Sequence, residues 1–101
     1  MNIDKQHQQK IVRILTQIFP GVLIYYFGNK EKSADSQGKQ PEIDIALDLG
    51  RIIGNKDIDE AQKALAETDI PYTIYLYDLN GVSEAERKAI IAKATAWKLL
   101  P

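Results

Sequence analysis

The spacing of hydrophobic residues and the positions of helix-starting residues predict three helices. Apolar residues return every three or four positions over 3–19 and 57–68, as on the buried side of amphipathic helices. Asp4 is the expected N-cap of the first helix. A third helix is predicted over 83–94, because this segment opens with the Ser-x-x-Glu pattern of a capping box. The expected buried stripe of the first helix contains Ile3, Ile11, Ile14 and Ile18, widened by Val12, Leu15 and Phe19.

Three other segments have the composition and alternation of β-strands. Val22–Phe27 is a short apolar run, Glu42–Leu49 alternates strictly, and Tyr72–Leu79 follows a proline. The segment around Trp97 is predicted as a terminal strand or as an extension of the last helix. The order of elements predicts a single domain over 1–101 of the α/β (α+β) class. Its core is expected to be a small mixed sheet of three to four strands flanked by helices.

The alternation in 42–49 brings acidic residues to one face of a strand. Glu42 and Asp44 are two positions apart and therefore point to the same side. Two carboxylates at this spacing suit Mg²⁺, which binds one or two carboxylates together with substrate phosphates. A Glu-x-Asp pair alone is more often a solvated face. The opposite, apolar face consists of Ile43, Ile45, Leu47 and Leu49.

The segment 28–41 is predicted as a long loop, rich in glycine, serine and lysine. Gly28 and Asn29 follow a buried strand directly, and a glycine there permits unusual backbone angles and the close approach of a ligand. Backbone amides in such a turn bind phosphate oxygens.

Composition limits the classes of function. The chain has no cysteine, which excludes disulfides, thiolate zinc sites and cysteine nucleophiles. A net charge of -1, from 13 basic and 14 acidic residues, gives no strong nucleic-acid signal and no attraction to membranes. The polar start of the chain and the lack of a long apolar run lead us to expect a cytoplasmic protein.

Two segments together resemble the minimal nucleotidyltransferases of the polymerase-β-like superfamily. YYFGNKEKSADSQGKQPEIDIALDLG is similar to the family's strand, Gly-Ser turn, loop and Asp/Glu-x-Asp/Glu strand. PYTIYLYDLNGVSEAERKAII resembles the family's third strand and the helix after it. The resemblance covers most of the chain from Val22 onward and implies a nucleotidyltransferase-type fold.

The resemblance also implies roles for individual residues. Gly28 and Asn29 take the place of the turn that holds nucleotide phosphates, and Lys30 stands where a basic residue meets phosphate. Glu42 and Asp44 take the place of the catalytic pair that binds Mg²⁺. In the family this centre transfers a nucleoside monophosphate and releases pyrophosphate.

The chain departs from the family pattern at two of these positions. Asn29 replaces the usual serine. Tyr75 stands where the third catalytic carboxylate is expected, and a phenol is a poor base and a poor Mg²⁺ ligand. Asp78 is the nearest acid, but alternation places it on the opposite face, at the end of the strand. Tyr75 is interpreted as a packing residue, with stacking on a nucleotide base as the alternative.

Three functions remain open from the sequence. The favoured one is a catalytically reduced antitoxin or regulatory partner of a helical HEPN-type toxin. The alternatives are an active Mg²⁺-dependent enzyme that moves AMP from ATP onto a protein or small acceptor, and a nucleotide sensor without turnover. A homodimer is also possible on this sequence. His7, Arg87, Lys88 and Lys93 are interpreted as surface residues.

Overall fold

A computed structural model describes residues 3–30 and 41–99, with the backbone alone at 29 and 30. The seven elements follow the predicted order, and the terminal segment is a strand rather than a helix extension. They are α1 (Lys5–Ile18), β1 (Leu23–Lys30), β2 (Glu42–Asp48), α2 (Asn55–Ala66), β3 (Thr73–Asp78), α3 (Glu84–Lys93) and β4 (Thr95–Lys98).

The four strands form one mixed sheet in the order β3-β2-β1-β4. β1 is antiparallel to both β2 and β4, whereas β2 and β3 are parallel and are joined through α2. A parallel pair needs such a crossover connection, because a tight turn reverses the direction of the chain and can join only antiparallel strands. In this register Asp44 lies between Gly28 on one side and Tyr75 on the other. The predicted α/β class with a small mixed sheet is confirmed.

Both predicted helix starts are confirmed. The Asp4 carboxylate accepts a hydrogen bond from the Gln6 N–H at 2.9 Å, which makes Asp4 the N-cap of α1. The Ser83 hydroxyl accepts from the Glu86 N–H at 3.2 Å at the start of α3. Each cap satisfies a backbone donor that the helix itself leaves open.

The core lies between one face of the sheet and the helices α1 and α2. Ile43, Ile45 and Leu47 are fully buried there, as the alternation of β2 predicts. Ile18 departs from the predicted stripe of α1, since 39% of it is exposed. The helical members of the core are Ile11 and Leu15 from α1 and Ala61 and Leu65 from α2.

The boundary between β1 and the following loop was predicted in the wrong place. β1 continues through Gly28 to Lys30, which pair with Asp44 and Glu42, so a loop cannot begin at Gly28. The register shifts between Tyr26 and Gly28, which makes Phe27 the extra residue of a β-bulge. Pairing with β2 outweighs the weak strand preference of Gly and Asn, because strand preference depends on context. The rest of the predicted loop, 31–40, lies outside the described residues.

α3 lies over the second face of the sheet and is held there by Arg87. The guanidinium donates to the Asp48 carboxylate at 3.1 Å and to the Asn80 side-chain oxygen at 3.1 Å. Asn80 in turn donates to Asp48 at 2.9 Å. Burial alone would raise the pKa of Asp48, but hydrogen bonds from Asn80 and the Gly50 N–H, with the Arg87 charge, lower it. The interpretation of Arg87 as a solvated surface residue was therefore wrong.

Candidate functional site

The carboxylate pair of β2 lies on the second face of the sheet, beside the part that α3 covers. Glu42 and Asp44 are both half-buried and point to the same side, as their spacing predicts. Ala46, next on this side, is fully buried, so the face is covered from that point towards Asp48. The two carboxylates thus occupy the open end of an otherwise covered sheet face.

Two tyrosines of β3 face the carboxylates. The Tyr77 hydroxyl donates to Asp44 Oδ1 at 3.3 Å, and Tyr75 lies within the influence of the Glu42 charge. The negative charge of Glu42, followed by desolvation, raises the pKa of Tyr75. Burial and the charge of Asp44 raise the pKa of Tyr77. Both phenols therefore stay protonated at neutral pH, and Tyr77 acts as a hydrogen-bond donor.

The register between β2 and β3 places Tyr75 directly beside Asp44. This is the neighbouring-strand position at which the family resemblance requires a third carboxylate. Asp78 cannot supply one, because its oxygens accept from the Ile53 N–H at 2.7 Å and the Asn80 N–H at 2.9 Å. Asp78 is the last residue of β3, as predicted, and ties the segment before α2 to the sheet.

Gly28 leaves room next to Asp44. A Cβ on Gly28 would lie 3.6 Å from Asp44 Oδ2, in the space that a ligand of the carboxylate needs. Its backbone is not left-handed, since Gly21 and Gly50 are the glycines with positive φ among the described residues. The expectation that glycine here provides an unusual backbone angle was therefore wrong, whereas the close approach of a ligand stays a prediction.

The predicted nucleotide-binding residues Asn29 and Lys30 stay predictions. Their backbones pair with Ile43 and Glu42, which keeps them next to the carboxylate strand. Together with Gly28 they form the end of β1 that borders the open part of the face.

The described residues offer only part of a magnesium site. No group of three or more carboxylate, histidine or cysteine side chains among them is placed to hold a metal ion. Glu42 and Asp44 fit an ion that also takes ligands from nucleotide phosphates, since Mg²⁺ commonly needs only one or two carboxylates in that case. Such an ion has to compete with the Tyr77 hydroxyl for Asp44 Oδ1.

Sequence reasoning missed the aromatic and basic border of the site. The Phe27 ring meets the Tyr77 ring edge to face, with centroids 5.2 Å apart. The Lys93 ammonium lies 5.6 Å from the centre of the Phe27 ring. Alternation in β3 already places Tyr77 on the face of Tyr75, so that residue was within reach of the sequence. The positions of Phe27 and Lys93 depend on the bulge and on the packing of α3, which no local pattern indicates.

Comparison with known proteins gives a match in structure only. No protein-family model matches the chain, and no curated protein matches it significantly in sequence. The part of the chain that the structure describes contains no helix long and apolar enough to cross a membrane.

Solved structures of toxin–antitoxin complexes are among those that match the chain. A structure of MntA-HepT aligns with a TM-score of 0.72 and 23% identity over 93% of this chain and 71% of that one. A tri-AMPylated HEPN toxin of Shewanella oneidensis with its MNT antitoxin gives a TM-score of 0.72 and 23% identity, over 94% and 71%. A toxin–antitoxin structure with AMP-PNP gives a TM-score of 0.70 and 26% identity, over 89% and 71%.

Sheet order, the carboxylate strand and these alignments define a nucleotidyltransferase-type fold. Within that class the chain has the minimal-nucleotidyltransferase fold of the MntA antitoxins. The fold expected from the sequence resemblance is confirmed.

Proposed function

We propose that this chain is the antitoxin of a HEPN-type toxin and neutralises it mainly by contact. The proposal is supported by the fold it shares with MntA antitoxins, whose structures contain a HEPN toxin. We propose the cytoplasm as the place where the pair acts. Homodimerisation stays a prediction.

The observation that supports reduced catalysis is the position of Tyr75. It stands beside Asp44, where a third carboxylate is needed, and Tyr77 donates a hydrogen bond to Asp44, one of the two candidate metal ligands. A neutral hydroxyl neither adds negative charge for a metal ion nor takes a proton from an attacking hydroxyl at neutral pH. Loss of one member of such a cluster lowers a rate by several orders of magnitude.

The remaining residues support retained binding of an adenine nucleotide. In this proposal the Lys30 side chain binds phosphate oxygens, together with whichever of the Gly28 and Asn29 amides points away from β2. Glu42 and Asp44 hold Mg²⁺ that is shared with the phosphates, and bound metal would neutralise phosphate charge there. One structural relative contains AMP-PNP, which supports an adenine nucleotide as the ligand class. If the chain has no toxin partner, the same site would make it a nucleotide sensor that binds its ligand without turnover.

An active AMP transferase is the second candidate. It is favoured by the intact pair Glu42 and Asp44 and by the open space beside Gly28. The HEPN toxin of one relative is tri-AMPylated in its complex. The two candidates differ in whether the carboxylates are needed for neutralisation.

A co-expression experiment separates the two. We expect a small helical HEPN-type protein to be encoded beside this chain, and the chain should restore growth to cells that express it. The double variant Glu42→Gln/Asp44→Asn should restore growth within about twofold of the original, because contact and not turnover neutralises the toxin. Growth after induction is the measurement.

The matched control is Asp69→Asn/Glu84→Gln, which removes two exposed carboxylates away from the site. If the site variant fails while it folds and the control succeeds, the contact proposal is wrong. A neighbouring gene that is not toxic would also contradict it.

A further inference from the structure

Lys93, the last residue of α3, borders the candidate site through a continuous set of contacts. Its ammonium lies 5.6 Å from the centre of the Phe27 ring. Phe27 is the bulged residue directly before Gly28, and its ring contacts Tyr77 at 5.2 Å. Tyr77 donates to Asp44. The cation of α3 is therefore linked to the carboxylate strand by two aromatic rings.

The contacts of Lys93 hold its ammonium group near the Phe27 ring, but they leave the N–H donors of that group available to a ligand. Within the described residues Lys93 forms no ion pair, whereas Lys10 pairs with Asp69 and Lys88 pairs with Glu84. A lysine in the last turn complements the helix dipole, and its position over Phe27 adds a cation–π attraction. Neither interaction uses the three N–H donors of the ammonium group.

The site itself lacks a cation among the described side chains. Neither Glu42 nor Asp44 forms an ion pair there. A nucleotide triphosphate beside Gly28 would add further negative charge next to the two carboxylates. Because like charges in a partly buried site repel strongly, such a ligand is stabilised by every positive group within a few ångströms, and a further cation would add to the Mg²⁺ and Lys30 of the proposed function.

We propose that Lys93 binds the phosphates of a nucleotide in this site. The flexible side chain swings from the Phe27 ring over the bulge to phosphate oxygens beside Gly28, as a point charge with rotatable donors. Lys93 is then a phosphate ligand supplied by α3. The inference rests on the proposed nucleotide binding and is independent of the toxin partner.

The test is a calorimetric titration of the 101-residue protein with AMP-PNP in excess Mg²⁺, which measures Kd. Lys93→Gln should raise Kd roughly tenfold, since it removes one charge-assisted contact. Lys93→Arg should stay within about threefold of the original because the charge is kept. Lys88→Gln removes a charge from the same helix and should leave Kd within about twofold.

Adenosine is the second ligand, because it has no phosphate. Its weaker binding should be the same for the original protein and Lys93→Gln, and the circular dichroism spectrum should not change. The inference is wrong if Lys93→Gln binds AMP-PNP as the original does, if Lys88→Gln weakens it equally, or if adenosine binding falls in parallel. If the original protein binds no AMP-PNP at millimolar concentration, the nucleotide proposal fails together with this inference, whereas neutralisation by contact stands.

Discussion

Replacing Tyr75 with aspartate should raise AMP transfer from ATP by at least about a hundredfold. The new carboxylate would lie beside Asp44 in the β2–β3 ladder, close to the charge of Glu42. Three acidic groups then repel one another until a cation joins them, which favours Mg²⁺. Since Tyr75 is 38% exposed, its removal takes little from the core.

Two measurements check this expectation. Release of pyrophosphate from ATP, with the HEPN-type toxin partner present as the acceptor of AMP, reports turnover. Mg²⁺ should raise the melting temperature of Tyr75→Asp but not that of the original protein. Tyr75→Asn is the control, because asparagine has nearly the shape of aspartate without its charge. This variant should gain neither turnover nor stabilisation by Mg²⁺. If Tyr75→Asp folds and shows neither metal stabilisation nor added turnover, Tyr75 is not the residue that limits catalysis.

Replacing Asp78 with alanine should lower the free energy of unfolding by about 2–4 kcal/mol. Its carboxylate accepts from the Ile53 and Asn80 N–H groups at 2.7 and 2.9 Å, and Ile53 is almost fully buried. Without Asp78 both amides lose a charged acceptor, and one of them cannot reach water. Urea denaturation followed by circular dichroism gives the free energy.

Asp69→Ala is the control for Asp78. This carboxylate is 88% exposed and pairs with Lys10 on the surface, so its loss should cost less than about 1 kcal/mol. Asp78→Asn should fall between the two, because one acceptor oxygen remains. Equal losses for Asp78→Ala and Asp69→Ala would show that Asp78 does not tie the segment before α2 to the sheet.

The strand register shows how far sequence patterns reach. Alternation in β2 correctly placed Glu42 and Asp44 on one face and Ile43 and Ile45 on the other, because a side-chain period of two allows no other arrangement. The family resemblance aligned Tyr75 with the third acidic position, and the parallel ladder places Tyr75 beside Asp44, while the catalytic role of that position stays a prediction. Capping at Ser83 was equally local.

The parts that the sequence did not reveal depend on contacts between distant segments. β1 extends through Gly28 to Lys30 because β2 pairs with it, and the bulge at Phe27 turns an apolar residue towards the site. Arg87 and Lys93 have the spacing of a solvated helix face, yet α3 packs over the sheet. Local sequence patterns do not show which charged helix residues will contact which strand of the sheet.

Neutralisation by contact, with catalysis reduced by Tyr75, is decided by the intact mass of the toxin partner after co-expression with this chain, measured on the purified complex. We expect a stable complex in which the neutralised toxin has its unmodified mass. A toxin that carries added AMP groups, or a toxin that stays neutralised after this chain has been removed, would contradict it.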